Sequence, residues 1–174
     1  MTFALSSRTL NSHRSDGDPM KNLFSLCFLL STLVQAGTFS VVGPCEKTPL
    51  FEITIKNIQD QSVGDLTVTL LQKNSIPFLG TPEGINSIFE TPTGLEAMEV
   101  ISDSELMAYG WCYSVNGFEP NLYPNALFLN EGDSVLWWFG YAHYKDGQWI
   151  TQCTPSYQRR SSLFCSSQQL NNSF

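Results

Sequence analysis

The sequence predicts an α+β domain that is mainly β, with little helix. Apolar and polar residues alternate in several short runs, which is typical of half-buried strands. Turn signals separate these runs, and the strongest is Asn116-Gly117. The segment from Gly37 onward has the size of one ordinary domain, so we expect a single β-rich domain at residues 37–165 with one core.

The first half of this segment predicts one hairpin. Gly37 to Pro49 is expected to be an N-terminal arm. The run FEITIKNI predicts a strand that begins at Phe51, and LTVTLLQ predicts a second strand with Leu66, Val68 and Leu70 on one face. The polar stretch QDQSVGD is the expected turn between them.

A proline- and glycine-rich stretch from Asn74 to Gly94 follows. It predicts a mostly irregular crossing with one short helix, opened by Pro82 and carrying Ile85, Ile88 and Phe89. Gly84 argues against a longer helix, because glycine is a poor helix former.

The second half predicts more strands. LEAMEVIS and ELMAYGWCYSV flank Asp103-Ser104, which favours a hairpin or a closely following strand pair. LFL is expected to be a short strand and NEGD a turn. SVLWWFGYAHY predicts a long strand, KDG its turn and QWITQC the returning strand. Residues 166–174 are expected to be a disordered tail.

A secretory signal peptide is predicted at Met20–Ala36. A charged start is followed by the apolar run LFSLCFLLSTLV and by small residues that flank Gln35. The run is shorter than the roughly 20 residues of a membrane-spanning helix, and a buried core helix is the alternative. Residues 1–19 are expected to be a disordered extension or a start codon assigned too early. The protein is therefore expected to be secreted or periplasmic.

The charge excludes two classes of partner. Residues 1–36 hold three basic and two acidic side chains, so the rest of the chain carries six Lys and Arg against fourteen Asp and Glu, a net charge of about −8. Nucleic acid and anionic membranes are poor partners for such a surface. A lipid anchor at Cys27 is not expected either, because the large Leu26 precedes it inside the apolar run.

Four cysteines follow the predicted signal, and an even number in an exported protein indicates two disulfides. Cys112 and Cys153 lie in strands of the motif-rich half, and Cys45 and Cys165 lie in the terminal arms. We therefore expect the pairs Cys112–Cys153 and Cys45–Cys165. The competing map pairs Cys153 with Cys165 and Cys45 with Cys112. A zinc site is a further alternative, but no C-x-x-C pair begins one.

The segment AYGWCYSVNGFEP, then Gly132-Asp133 and VLWWFGYAHY, resembles the transcobalamin-like C-terminal domain family, a domain of largely unknown function in bacterial exported proteins. The resemblance covers roughly Phe51 to Pro155. It implies a β-grasp-like twisted mixed sheet with one short helix or crossing segment on one face. In vitamin B12 carriers the related domain caps the corrinoid, but this chain has no room for the helical barrel that provides most of their ligand contacts.

Enzymatic motifs are missing from the sequence. It contains no G-x-S-x-G, H-E-x-x-H, P-loop or G-x-G-x-x-G pattern. His143, which follows the predicted signal, is a candidate general base. Its other interpretation is a polar strand-end residue hydrogen-bonded to backbone. A Cys–His pair would need a free thiolate, which oxidised cysteines lack. We therefore expect no catalytic residue, cofactor or metal.

An aromatic strip is the main candidate for binding. Tyr109, Trp111 and Tyr113 share one strand face, and Trp137, Phe139 and Tyr141 are expected beside them. Such a strip is either hydrophobic core or a recognition surface. The candidate ligand-binding residues are Tyr109, Trp111, Tyr113, Tyr141, His143 and Tyr144.

The sequence thus predicts a non-enzymatic binding or interaction module with an aromatic-rich sheet, whose partner is a small molecule, a glycan or a protein. The alternatives are a small-ligand carrier, possibly of a corrinoid-like molecule, and an enzyme that uses His143. A concave site lined by Tyr109, Tyr141 or Tyr144 favours a small ligand, whereas a flat patch favours a protein or glycan.

Overall fold

A mixed β-sheet packed against an α-helix forms the body of the described part of the chain. The structure is a computed structural model, and it describes residues 36–58 and 60–166. Apart from Ala36, the predicted signal peptide lies outside the described residues, as do residues 1–19 and 167–174. The elements are β1 (Gly37–Val42), β2 (Pro49–Ile55), α1 (Val63–Lys73), β3 (Phe78–Thr81), β4 (Gly84–Ile88), β5 (Met98–Ser102), β6 (Glu105–Val115), β7 (Val135–Lys145) and β8 (Gln148–Pro155). The predicted class, α+β and mainly β, is confirmed.

Six strands belong to one sheet. Its order is β2-β1-β7-β6-β5, and β8 pairs with β7. β1 runs parallel to β7, and the other neighbours are antiparallel. β6 occupies one edge of β7 along its whole length, so β1 and β8 share the other edge: β1 pairs up to Trp138 and β8 from Gly140. The sheet is mixed, as expected, and the β-grasp likeness stays a prediction.

The strand register divides this sheet into two faces. We call them the helix face and the groove face. The helix face carries Phe39, Val41, Met107, Tyr109, Trp111, Tyr113, Val135, Trp137, Phe139, Tyr141 and His143. The groove face carries Thr38, Ser40, Val42, Glu52, Ala108, Gly110, Cys112, Ser114, Leu136, Trp138, Gly140, Ala142 and Tyr144.

Helix α1 packs on the helix face and closes the main core. Its buried side chains meet Phe39 and Trp137 of the sheet. The indole Nε1 of Trp137 donates a buried hydrogen bond of 2.9 Å to Thr67 Oγ1, which joins helix and sheet. The N-terminus of α1 is capped by Ser62, whose hydroxyl accepts from the backbone N–H of Asp65.

The predicted strand at residues 66–72 is wrong, because this stretch lies inside α1. Leu66 and Leu70 fit both an alternating and a helical pattern. The buried set decides between them, since Val63, Leu66, Thr67, Leu70 and Leu71 follow the helical spacing. Ser62 followed three residues later by Asp65 is a capping signal that the alternation obscured.

Gly37 to Pro49 is not an arm. Its first part, β1, is a central strand, paired with β2 on one side and β7 on the other. Phe39 and Val41 are completely buried there. Parallel pairing with a strand almost a hundred residues later leaves no local sequence signal, so only the apolar residues of GTFSVV indicated a strand.

Asn74 to Gly94 is also more regular than predicted. β3 and β4 form a separate antiparallel hairpin, and Pro82 lies in its turn rather than at the start of a helix. Ile85 and Ile88 are buried strand residues. The predicted strand LFL is reduced to a single bridge between Phe128 and Ser62.

The predicted pairings in the second half are confirmed. β5 and β6 form the expected hairpin, with the β5 strand starting at Met98 after a 3₁₀ turn. β7 and β8 form the other hairpin. Asn116 and Gly117 have φ values of 53° and 78°, and Asp146 and Gly147 have 49° and 84°, which is the left-handed conformation that tight hairpin turns require.

Candidate functional site

The predicted aromatic strip exists on the helix face. β6 and β7 pair Tyr113 with Trp137, Trp111 with Phe139 and Tyr109 with Tyr141. The ring centroids of these pairs lie 5.2, 5.5 and 5.9 Å apart. Such cross-strand contacts stabilise a sheet beyond the area they bury.

Other parts of the chain cover most of this strip. Trp137 and Phe139 are buried, and Tyr109 is 8% exposed. The indole Nε1 of half-buried Trp111 donates to Thr91 Oγ1 at 2.8 Å. The Tyr113 hydroxyl donates to the Leu122 carbonyl at 2.8 Å, and burial raises its pKa. The strip is therefore largely core with satisfied polar groups.

The C-terminal arm, Ser156–Ser166, lies over one end of the strip. The ring of Phe164 meets those of Tyr109 and Phe139 edge-on, at 4.7 and 5.3 Å. Cys165 is bonded to Cys45, and this disulfide fixes the arm to the segment that follows β1.

Glu99 on β5 is the polar anchor beneath this arm. Its carboxylate accepts from the Tyr109 hydroxyl at 2.8 Å and from Arg159 Nη2 at 3.1 Å. Burial opposes ionisation of Glu99, but the hydrogen bonds and charge of Arg159 and the bonds from Tyr109 and Ser161 outweigh it, so the pKa of Glu99 is lowered. Burial and the neighbouring Glu99 raise the pKa of Tyr109. These bonds hold the arm in place.

His143 lies near the end of the same face. Its Nε2 is 2.8 Å from Glu105 Oε1, and Lys145 Nζ is 3.2 Å from the other carboxylate oxygen. The contacts with His143 and then Lys145 lower the pKa of Glu105. The partner of His143 is thus a carboxylate rather than a backbone group. Cys112 and Cys153, the cysteines considered for a Cys–His pair with His143, are bonded to each other in a disulfide.

Tyr144 is separated from the other five candidates, because it lies on the groove face. Its ring meets that of Trp149 on β8 edge-on at 5.2 Å. Trp149 is 53% exposed. The sequence therefore grouped six candidate residues that the register places on two sides of one sheet.

The two disulfides are Cys45–Cys165 and Cys112–Cys153, with Cα atoms 5.5 and 5.8 Å apart. This is the preferred map, and the competing map is not present. Cys112–Cys153 lies on the groove face, where the indole Nε1 of Trp138 also donates to the Cys153 carbonyl at 2.8 Å. An added Cβ on Gly140 would lie 3.2 Å from Trp138 Nε1 and 3.3 Å from Cys112 Sγ, so a side chain there would force these neighbours to shift by a few tenths of an ångström.

A groove of about 520 Å³ opens on the groove face, over β2, β1, β7 and β6. Its volume falls in the range of about 300–1,000 Å³ typical of small-ligand sites. The apolar part of its lining includes Val42, Leu136 and Trp138, and Pro155 and Tyr157 close one side. The polar part of the lining comprises Thr38, Ser40, Lys47, Glu52, Ser114, Glu119 and Ser134.

A second hollow, of about 360 Å³, lies beyond the Cys112–Cys153 disulfide. Its floor consists of the cross-strand pairs Ala108–Ala142 and Gly110–Gly140. Trp149 and Gln152 form part of its wall. Tyr109 and Tyr141 also contribute to its lining. A concave site lined by these residues was expected to favour a small ligand, but their rings belong to the helix face.

Sequence reasoning missed the larger groove. The sequence predicts an arm where β1 lies, so it gives Thr38 and Ser40 no place in the sheet. The one available signal was the polar–apolar alternation of GTFSVV, in which Ser40 falls between the apolar Phe39 and Val41.

No family model, curated protein or solved structure matches this chain. Among residues 36–58 and 60–166 there is no helix long and apolar enough to cross a membrane. Within the same part of the chain, no three His, Cys, Asp or Glu side chains converge as a metal site. The two disulfides are compatible with an extracellular or periplasmic location.

Proposed function

We propose that this domain is a non-enzymatic binding module of an exported protein and that the 520 Å³ groove on the groove face binds a small ligand. The observation that carries the proposal is a concave site with an apolar floor and a few convergent polar groups, which is the usual composition of small-ligand sites. The aromatic strip supports the site from behind by filling the core.

The concavity favours a small ligand over a flat protein interface. Leu136 at the groove floor is 36% exposed, whereas Trp137 beside it on the opposite face is 2% exposed. The floor strands are held by parallel pairing with β1, by antiparallel pairing with β6 and by the Cys112–Cys153 disulfide. A preformed, rigid site loses little conformational entropy on binding.

A thermal-shift screen of the exported protein tests the proposal. The library contains neutral and charged saccharides, amino acids, nucleosides and cobalamin, and a ligand that binds only the folded state raises the unfolding midpoint. Leu136→Arg, which fills the groove, should abolish the shift. Ile150→Arg is the matched control, because Ile150 is also an exposed strand residue but lies outside the groove lining.

A ligand whose shift survives Leu136→Arg and is lost on changing the strip residue Tyr141 would overturn the proposal. Failure of every library member to shift the midpoint would also count against it, and would favour a protein partner. A cobalamin shift that Leu136→Arg abolishes would support the carrier alternative within the same groove.

We further infer that His143 is not catalytic. Its Nε2 is engaged by Glu105, and it is absent from the lining of both concavities described above. His143→Ala should lower the free energy of unfolding by less than about 1–1.5 kcal/mol and leave ligand affinity unchanged. An enzymatic activity that disappears in folded His143→Ala protein would contradict this inference.

A further inference from the structure

From the geometry of the groove we infer its ligand class: a saccharide of one or two rings that carries no anionic group, held at one end by Ser114 and at the other by Ser40 and Glu52. This inference rests on the proposed function of the groove. It is carried by the hydrogen-bonding state of Ser114 and by the order of residues across the sheet.

Ser114 is 4% exposed, yet its hydroxyl makes no hydrogen bond with another described residue. Among the same residues, no side-chain nitrogen or oxygen atom that is closed off from solvent lacks a partner. The Ser114 hydroxyl must therefore face accessible space, and the groove that Ser114 lines provides it. A serine buried so completely, with only its hydroxyl left open, is a ready donor and acceptor for a ligand.

The strand register places four groove-face residues in one row. Ser114 lies opposite Leu136, Leu136 lies beside Ser40, and Ser40 lies opposite Glu52. The Ser40 hydroxyl donates to Glu52 Oε2 at 2.9 Å, which leaves the exposed carboxylate room for further donors. Adjacent strands are about 4.8 Å apart, so Ser114 and Ser40 are separated by about 10 Å.

The apolar residues lie between these polar ends. Leu136 separates the two serines, and the next row of the same face carries Trp138 and Val42. A ligand must therefore combine an apolar face with hydroxyl groups at its rim. A sugar ring has this composition, because its C–H groups form one surface and its hydroxyls project at the edge. The separation of about 10 Å suits two linked rings better than one.

The charges of the groove select against anionic ligands. Its lining holds two carboxylates, Glu52 and Glu119, against the single ammonium of Lys47. The whole chain also carries a net charge of −7. Carboxylates accept hydrogen bonds but do not donate them, so they suit hydroxyl donors on the ligand and repel carboxylates or phosphates.

Titration of the isotope-labelled protein with matched sugars tests the inference. The probes are cellobiose, maltose and glucose as neutral ligands, with glucuronate as the anionic and glucosamine as the cationic analogue of glucose. Cellobiose or maltose should shift the amide resonances of Ser40, Ser114 and Leu136 at millimolar concentration. Glucose should bind more weakly, and glucuronate should bind most weakly of all.

Two variants locate the contacts. Ser114→Ala and Glu52→Gln should each weaken binding about fivefold to tenfold, the loss expected for one hydrogen bond. Ser104→Ala is the control, because Ser104 lies in the exposed turn between β5 and β6. This variant should bind the sugars with the same affinity as the unchanged protein.

Tighter binding of glucuronate than of glucose would overturn the inference of a ligand without anionic groups. So would the absence of any amide shift in the groove with the three neutral sugars. In either case a library ligand whose thermal shift is abolished by Leu136→Arg would leave the proposed binding function standing, so the two failures can be told apart.

Discussion

β6 and β7 present opposite chemistry on their two faces. On the helix face the paired residues are aromatic, and their polar atoms are bonded to Thr91, Glu99 and the Leu122 carbonyl. On the groove face most of the paired residues are small or aliphatic, with Trp138 and Tyr144 as the aromatic exceptions, and the hydroxyl of Ser114 has no protein partner among the described residues. The aromatic residues fill the core, whereas the small residues leave room above the sheet.

This difference changes where function should be sought. Aromatic residues draw attention in a sequence because they are common in recognition surfaces, but they also bury the largest areas. Here Trp137 and Phe139 lie in the hydrophobic core. The groove lies on the opposite face of the sheet, whose residues did not stand out in the sequence. A hydroxyl without a protein partner, in a structure whose other buried polar groups are hydrogen-bonded, is a more specific sign of a ligand than an aromatic residue is.

The two disulfides give the largest expected effects on stability. Cys45–Cys165 spans 120 residues and holds the arm over the helix face, and Cys112–Cys153 spans 41 residues on the groove face. In the chain-entropy model, replacing both cysteines of a pair by alanine should cost about 5 kcal/mol for the first and about 4 kcal/mol for the second. Denaturant unfolding of both variants under oxidising conditions measures these values.

The two variants should be destabilised in different parts of the structure. Loss of Cys45–Cys165 should speed amide hydrogen exchange in the arm first, whereas loss of Cys112–Cys153 should speed exchange in β8. Equal exchange in the arm of both variants would show that the arm is held without its disulfide.

Neighbouring residues on β7 provide the next comparison. Trp137→Ala removes a buried indole and its bond to Thr67, so the free energy of unfolding should fall by about 3–5 kcal/mol. Leu136→Ala changes a side chain that is 36% exposed, and should cost less than about 1.5 kcal/mol. Chemical denaturation of the pair checks the assignment of faces, and similar losses at both positions would contradict it.

The sequence predicted the second half of the fold better than the first for a physical reason. β5 pairs with β6, and β7 pairs with β8, through short turns such as Lys145-Asp146-Gly147, whose residues specify the turn locally. β1 pairs with β7 across the whole domain, and nothing in GTFSVV encodes that partner. The disulfide map followed from the strands of the second half and from the terminal positions of Cys45 and Cys165.

The candidate site was predicted only in part for the same reason. Alternation placed Tyr109, Trp111 and Tyr113 on one face, and the register confirms their alignment with β7. Burial of these rings depends on α1, which the sequence predicts as a strand, and on the C-terminal arm, whose contact with the strip the sequence does not predict. The groove needs Ser40 and Glu52 beside Leu136, and that juxtaposition exists only once β1 is placed in the sheet.

The arm on the helix face should respond to pH through Glu99. Its lowered folded-state pKa means that the stabilising contribution is complete above the ordinary value of 4.5 and is lost as the pH falls through the folded value. Glu99→Gln should cost about 1 kcal/mol at pH 7, since partly exposed ion pairs contribute little. Thermal unfolding of both proteins from pH 7 to pH 3 should show the two curves converging as the pH falls below 4.5. A difference in stability between the two proteins that stays constant with pH would show that ionisation of Glu99 does not stabilise the fold.

The smallest expected effect on the free energy of unfolding comes from a comparison of two buried serines. Ser156, completely buried, donates its hydroxyl to the Phe139 carbonyl at 2.8 Å and lies 3.1 Å from the Pro44 carbonyl, so Ser156→Ala should cost about 1–2 kcal/mol. Ser114→Ala removes a hydroxyl that no described residue uses, and the free energy of unfolding should change by less than about 0.5 kcal/mol. Urea unfolding of the two variants measures the difference. A loss at Ser114 as large as that at Ser156 would mean that its hydroxyl supports the fold, and the groove would then lose the group that points most directly to a ligand.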